Sequence, residues 1–147
     1  MKVVEAFFRK RDLVLSPMSR TVHGAWIVSP VVRKLPVDSG ATERSEAIKA
    51  SLKCSLAGVP HPTGWNALMQ PILECAEVDS WAAFVRGASC VSVELKDDEN
   101  TIKFIPHRNL GPVDGFEPMP EFAIQVSQKV TPQELSDALD QARQRCG

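Results

Sequence analysis

The stretch Ser80–Asn109 constrains the fold more than any other part of the sequence, because it combines a short helix with two strands. It begins at a serine that can cap a helix, and Gly87 can end that helix in the left-handed conformation. Apolar residues then alternate with small or polar ones over 89–95 and again over 101–106, the period of strands with one buried face. The residues between them, 96–100, form a polar turn. We therefore expect a β-hairpin with a helix folded over it, on which the other segments pack.

More strands are expected on both sides of this hairpin. Residues 3–8 and 11–15 form two short strands joined by a basic turn, and 25–29 form another. Pro17 is expected to break the second strand, which makes 16–21 a loop. A bent edge strand over 31–35 and a last strand over 122–126 complete the set.

The segment after Pro106 is expected to be a long ordered loop. Residues 107–120 contain three prolines and two glycines, which disfavour a regular strand. Loops of this length in compact domains often carry function.

Three further segments have helical patterns. A helix is expected to begin at Thr42, with apolar Ile48, Leu52 and Leu56 repeating every four residues. A second begins at Thr63, and Pro71 should kink it or split it into two short helices. The third begins with Thr131-Pro132-Gln133-Glu134, which combines a cap, a proline at the first position and a capping-box glutamate.

The order of these elements, ββ-β-ααα-ββ-β-α, predicts an α+β fold. Consecutive strands without crossover helices argue against a doubly wound parallel sheet. Residues 1–147 are expected to form a single domain, with helices packed on an antiparallel or mixed sheet.

Charge and hydropathy restrict the classes of partner. Residues 1–60 carry a net charge of +5 and residues 61–147 a net charge of −6, which sum to the overall −1. An acidic face suits a basic protein partner, whereas so balanced a chain is a poor candidate for direct nucleic-acid binding.

No apolar run approaches the roughly 20 residues that span a bilayer, and the charged N-terminus does not fit a signal peptide. We expect a cytoplasmic protein that binds no membrane and is a monomer or a weak dimer of complementary halves.

Catalytic and metal-binding motifs are missing from the sequence. The four cysteines form no CxxC pair, and phosphate-binding, zinc-protease and serine-hydrolase motifs are absent. Three histidines, His23, His61 and His107, are far apart in sequence. If they converged with Asp114 or Glu117, a metal or acid–base site would result. A small ligand-binding or metal-dependent enzyme domain using His61 and His107 is thus the alternative, and three unrelated loop or surface histidines are favoured over it.

Several short motifs, in order and over nearly the whole chain, resemble the immunity proteins of bacterial contact-dependent growth inhibition systems, the CdiI group. They are Gly24-Ala25-Trp26, Gly58-Val59-Pro60-His61-Pro62 with Trp65-Asn66, Trp81-Ala82-Ala83-Phe84 with Gly87-Ala88, Phe104-Ile105-Pro106, Asn109-Leu110-Gly111 and Phe116.

This resemblance implies a cytoplasmic protein that is not an enzyme and needs no cofactor. Such a protein binds the C-terminal toxin domain of its cognate CdiA effector, often a nuclease, and blocks it. The motif residues are mostly Trp, Pro, Gly and Phe, which form a fold and do not mark the toxin-binding surface.

The contact residues are therefore predicted from charge. Nuclease toxins need basic clefts for phosphates, and a blocker can present carboxylates to such a cleft. Between Glu94 and Glu121 the sequence has seven acidic and three basic residues. Phe116 could add an aromatic anchor, although a core role is favoured for it. The predicted partner contacts are Asp97, Asp98, Glu99, Asp114, Phe116, Glu117 and Glu121.

Overall fold

The structure, a computed structural model, describes residues 1–64, 67–97 and 100–147, which form nine strands and four α-helices. The strands are β1 (Lys2–Phe8), β2 (Asp12–Thr21), β3 (Trp26–Val28), β4 (Arg33–Pro36), β5 (Ala57–Val59), β6 (Ser89–Leu95), β7 (Thr101–Asn109), β8 (Phe116–Pro118) and β9 (Ile124–Ser127). The helices are α1 (Ala41–Lys53), α2 (Gln70–Ala76), α3 (Trp81–Val85) and α4 (Pro132–Gln144), and Pro120–Phe122 form a 3₁₀ turn.

One mixed sheet holds these strands together. Its main path runs β3-β2-β1-β6-β7-β8, while β4 and β5 also pair with β2 and β9 pairs with β7. The pairs are antiparallel except for β5, which lies parallel to β2. The predicted α+β fold with helices packed on the sheet is confirmed. Among the described residues, no helix is both long enough and apolar enough to cross a membrane.

The central hairpin and its helix form as predicted. The Ser80 hydroxyl accepts a hydrogen bond from the Ala83 amide at 3.1 Å, and Gly87 follows α3 with φ of +71°. Strands β6 and β7 pair antiparallel, with Val93 opposite Phe104. Gly87 lies in the left-handed region that glycine adopts without steric cost, so α3 ends there and β6 can begin.

The two faces of the sheet are covered differently. On the first face, apolar side chains of β1, β2, β6 and β7 pack against α1 and α4. Leu135, Ala138, Leu139 and Ala142 of α4 are all buried in this core, as their spacing predicted. The Thr131 hydroxyl accepts a hydrogen bond from the Glu134 amide, which confirms the predicted start of α4.

On the second face, the short helices α2 and α3 cover only one end of the sheet. Phe7 of β1 lies at the centre of a second apolar cluster there, with Ile72 from α2 and Phe84 from α3. Phe7 contacts three other rings edge-on or tilted, with centroids 5.0 Å away for Phe84, 5.5 Å for Phe116 and 6.4 Å for Trp81. Such contacts add to the hydrophobic gain. We call Phe7, Trp81, Phe84 and Phe116 the aromatic cluster.

Two prolines do not end their strands, contrary to expectation. Pro17 lies inside β2, and its carbonyl accepts a hydrogen bond from the Ser29 amide, on the side away from β1. In an antiparallel strand, the nitrogen and the carbonyl of one residue point toward the same side. Because the Pro17 carbonyl faces away from β1, its nitrogen does too, and the missing N–H removes no hydrogen bond to β1. Pro106 likewise lies inside β7, with its carbonyl accepting from the Met119 amide.

The predicted loop over 107–120 is therefore wrong in part. Strand β7 continues to Asn109 and pairs with β8 as a hairpin, so that the connection is only 110–115. Asn109 holds this hairpin in place, because its side-chain amide donates at 2.9 Å to the carbonyls of Val85 and Ala88. The motif residues of this region thus stabilise the fold, as expected.

The other helices differ from the sequence pattern at their ends. Helix α1 begins at Ala41 and ends at Lys53, so Leu56 lies beyond it and is 55% exposed. Pro71 is the second residue of α2, where no helical N–H bond is required, and it therefore starts the helix without a kink. Trp65, which follows the expected helix start at Thr63, lies outside the described residues.

Candidate functional site

The open part of the second face carries a row of polar side chains across the middle of the sheet. Glu5 of β1 lies opposite Ser16 of β2 on one side and Ser92 of β6 on the other. Ser92 in turn lies opposite Ile105 of β7. Because side chains alternate between the faces of a strand, this row belongs to the same face as Phe7, two residues along β1.

Glu5 is an acidic group without a basic counterpart. Its side chain is half-buried, and none of the described Lys or Arg side chains forms an ion pair with it. Burial raises the pKa of Glu5 from 4.5 to about 7, because the charged carboxylate loses hydration. The hydroxyl of Ser16 is fully buried and has no hydrogen-bond partner among the described residues. A donor therefore stands opposite a carboxyl group that is poised to ionise near neutral pH.

A cavity of about 250 Å³ opens beside Glu5. Its floor and walls include Glu5, Phe7, Met69 and Trp81, and the connection 112–116 closes one side. We call this space the Glu5 cavity. It joins one half-buried carboxyl group to aromatic surfaces, which is chemistry suited to a cation.

Ser92, which belongs to this row, forms a buried pair with His107. The Ser92 hydroxyl lies 2.6 Å from Nε2 of His107, and His107 is only 6% exposed. Burial lowers the pKa of His107, and a backbone group of Phe116 offsets part of that effect. The buried contact between this imidazole and the serine hydroxyl joins β7 to β6.

A broader concavity of about 790 Å³ lies at the other end of the second face. Glu94, Lys96, Lys103 and Gln125 line it, so it offers both signs of charge. A partner laid across the second face would meet this mixed surface at one end and the Glu5 cavity at the other.

The structure places the predicted acidic contacts at two separate sites. Asp97 is exposed in the turn between β6 and β7, 3.6 Å from the amino nitrogen of Met1. Asp98 and Glu99 lie outside the described residues. Asp114 and Glu117 lie at the opposite end of β7, about 27 Å away along a nine-residue strand. A partner that contacts both groups must therefore span the length of β7.

The remaining predicted contacts lie near the second of these sites. Asp114 is exposed and lines the Glu5 cavity together with Phe116. Phe116 is half-buried and packs on Phe7, so it does not project as an anchor. Glu117 is exposed, 3.9 Å from Arg108, and Glu121 is exposed in the 3₁₀ turn.

The three histidines do not converge. His23 and His61 contact each other with ring centroids 4.8 Å apart, and Nδ1 of His61 lies 3.1 Å from the Thr21 hydroxyl at the end of β2. His107 lies on β7, three strand spacings or about 14 Å across the sheet, and it is level with Val14, about 23 Å along β2 from Thr21. The interpretation of three unrelated loop or surface histidines is wrong for the His23–His61 pair and for buried His107. The alternative site that joins His61 to His107 is not supported.

Metal ligands are not clustered in the part of the chain that the structure describes, where no group of three His, Cys, Asp or Glu side chains could hold an ion. The four cysteines are free thiols, of which only Cys90 is fully buried.

Glu5 was not predicted as a site residue, and the sequence carries only one weak signal for it. It stands between apolar neighbours, in Val3-Val4-Glu5-Ala6-Phe7, within a strand that is covered on both faces at one end. A carboxylate in such a strand is rare and indicates either a partner or a function. The sequence does not show which strands lie on either side of β1, and only the fold provides this information.

Comparisons with known proteins identify relatives of the fold alone. The sequence matches no family model and no curated protein. A solved structure described as a protein of unknown function, NMB0488 from Neisseria meningitidis, is 14% identical with a TM-score of 0.77, covering 99% of this chain and 95% of that one. One chain of a CdiA-CT/CdiI toxin and immunity complex from Yersinia pseudotuberculosis is 11% identical with a TM-score of 0.80, covering 99% and 97%. The chain therefore has the fold of a component of a toxin–immunity complex.

Proposed function

We propose that this chain is an immunity protein that binds and neutralises the C-terminal toxin domain of a CdiA effector, in the cytoplasm of the cell that produces it. The observation that carries this proposal is the match over 99% of the chain to a component of the Yersinia pseudotuberculosis complex. The ordered motifs that resemble the CdiI group support the same role.

The features of this chain fit an immunity protein better than they fit a toxin. A toxin that attacks a nucleic acid needs accessible catalytic groups and a basic cleft for phosphates. Here the serine–histidine pair of Ser92 and His107 is buried, and the Glu5 cavity is acidic. A protein that binds without catalysing a reaction is the simpler account of these features.

The proposed contacts are the carboxylates at the two ends of β7. A nuclease partner would present basic groups, and opposite charges speed association and make it sensitive to salt. The contacts are Asp97 at one end, Asp114 and Glu117 at the other with Phe116 beside them, and Glu121 in the 3₁₀ turn beside the middle of β7. Asp98 and Glu99, which follow Asp97 in the sequence, complete the proposed set.

Co-expression with the toxin domain encoded immediately upstream tests the function. The toxin domain alone should arrest growth, and this chain alone should not. Both together should restore growth, and the two should copurify. Arrest by this chain alone would assign it to the toxin half, and absence of both a complex and rescue would exclude immunity toward that toxin.

A matched variant separates binding from the histidine alternative. His61→Ala removes the ring that contacts His23 but none of the proposed acidic contacts, so rescue should be unchanged. Loss of rescue by a folded His61→Ala variant would contradict the proposed contact surface.

A further inference from the structure

The Glu5 cavity has features that a structural core does not require. A core position in β1 would be filled by an aliphatic side chain, as at Val4 and Ala6 on the first face. Glu5 instead places a carboxyl group next to Phe7, where ionisation has an energetic cost that no described basic residue offsets. Such an unmatched group is typical of a site that receives its counter-charge from a ligand.

The size of the cavity limits the ligand. At about 250 Å³ it is smaller than the roughly 300–1,000 Å³ of clefts that hold drug-sized molecules. One long side chain fits this space better than a cofactor does. Its position beside the exposed residues Val113 and Asp114 leaves it open to a docked protein.

The walls favour a flat cation. The Trp81 ring is nearly perpendicular to Phe7 and to Phe116, with both centroids 6.4 Å away, so the rings border the cavity at different angles. A guanidinium stacks on such rings and also donates paired hydrogen bonds to a carboxylate, whereas a lysine ammonium acts as a point charge.

The aromatic cluster already contacts one guanidinium of this chain, that of Arg9. The guanidinium carbon of Arg9 lies 5.1 Å from the centroid of Phe84, and its nitrogens donate to the carbonyls of Ala83 and Phe84. The aromatic cluster therefore already holds one guanidinium, on Phe84, and two other rings of the cluster, Trp81 and Phe116, line the Glu5 cavity.

We infer that the Glu5 cavity receives the guanidinium of an arginine from the bound protein partner, between the Glu5 carboxylate and the rings of Trp81 and Phe116. This inference rests on the proposed function, because the arginine is taken to belong to the toxin domain. Asp114 adds a second carboxylate at the rim, and Ser16, whose hydroxyl has no hydrogen-bond partner among the described residues, lies opposite Glu5 on β2.

Binding is coupled to a proton because Glu5 must ionise. The titratable groups that face it are Cys90 and Glu94 on β6, His107 on β7 and Asp114 on the 110–115 connection, whereas its neighbours on β2 are not titratable. With the pKa of Glu5 at about 7, affinity for a cation should rise about tenfold between pH 6 and pH 8, as the ionised fraction grows.

The test uses the whole chain and two probes of the same shape. N-acetylarginine amide and its neutral analogue N-acetylcitrulline amide are titrated while the Trp81 indole and Gly115 amide signals are followed by NMR. The arginine probe should bind at about 1 mM, as its small size allows. The citrulline probe should bind at least tenfold more weakly, and only the arginine probe should bind more tightly at pH 8. Equal responses to both probes would overturn the inference without any variant.

Variants then show whether Glu5 causes the preference for the arginine probe. Glu5→Gln should remove the preference for arginine and its pH dependence, while Asp137→Asn, on α4 behind the first face, should change neither. In the toxin complex, Glu5→Gln should weaken affinity at least tenfold. Unchanged toxin affinity would overturn the cavity inference alone. A chain that binds the probe through Glu5 but binds no toxin domain would overturn the immunity function alone.

Discussion

The two faces of the sheet are built from the same strands but hold different kinds of side chain. The first face is closed by α1 and α4 over a continuous apolar core. The second is closed at one end by α2 and α3 and elsewhere carries Glu5, Ser16, Ser92 and charged residues. The difference indicates that the first face stabilises the fold, whereas the second is available for a partner.

The largest expected effect concerns the first face. Leu139→Ala removes a side chain that is fully buried between α4 and the sheet, and should lower the free energy of unfolding by about 2–5 kcal/mol. Urea unfolding measures this. The folded fraction should still bind the arginine probe unchanged, because Leu139 does not line the Glu5 cavity.

A matched substitution at an exposed apolar residue provides the control. Val113→Ala, at a side chain that is 92% exposed, should change the free energy of unfolding by less than about 0.5 kcal/mol. Similar losses for Leu139→Ala and Val113→Ala would refute the assignment of stability to the first face.

The second expected effect has the opposite sign and depends on pH. Because the pKa of Glu5 is raised to about 7 in the folded chain, the folded state loses stability as pH rises from about 4.5 to 7, and the loss is complete above that range. Glu5→Gln removes this cost and should raise the free energy of unfolding by about 1–3 kcal/mol at pH 8, with partial exposure reducing the effect.

At pH 4 the same substitution should have little effect, since Glu5 is protonated in both states. Thermal or urea unfolding at the two pH values provides the comparison. Equal stability of the two proteins at pH 8 would show that Glu5 is hydrated and that the second face is no different from ordinary surface.

The smallest expected effect concerns affinity for the toxin domain. Asp114→Lys with Glu117→Lys reverses two exposed charges at one end of β7 and should weaken binding about tenfold, or about 1.4 kcal/mol. The loss should shrink as salt is added, since exposed charges are screened.

Glu46→Lys with Asp137→Lys is the matched control, because it reverses two exposed charges on α1 and α4 behind the first face. Titration calorimetry at two salt concentrations measures both pairs. If the control pair weakened binding as much as the first pair, net charge alone would explain the affinity, and the proposed contacts would be wrong.

Much of the fold could be predicted because its signals are local. The capping box at Thr131, the cap at Ser80 and the alternation in β6 and β7 each depend on a few neighbouring residues. The wrong predictions at Pro17 and Pro106 have the same cause. A strand tolerates a proline when the proline nitrogen points away from the neighbouring strand that would accept its hydrogen bond. That information depends on the pairing of distant segments.

The candidate site was predicted less well for the same reason. Acidic residues can be counted in the sequence, but their separation by the length of β7 cannot. The Glu5 cavity joins residues from β1, α3 and the 110–115 connection, which together extend over more than 100 positions of the chain. A half-buried carboxyl group is recognisable only when those segments are assembled.

Hydrogen–deuterium exchange of the chain with and without its toxin domain tests the division between the faces most directly. If the second face binds the partner, peptides covering 96–100 and 110–118 should exchange more slowly in the complex, while those covering α1 and α4 should be unchanged. Slower exchange confined to α1 and α4 would contradict this account, because it would place the partner on the face assigned to stability.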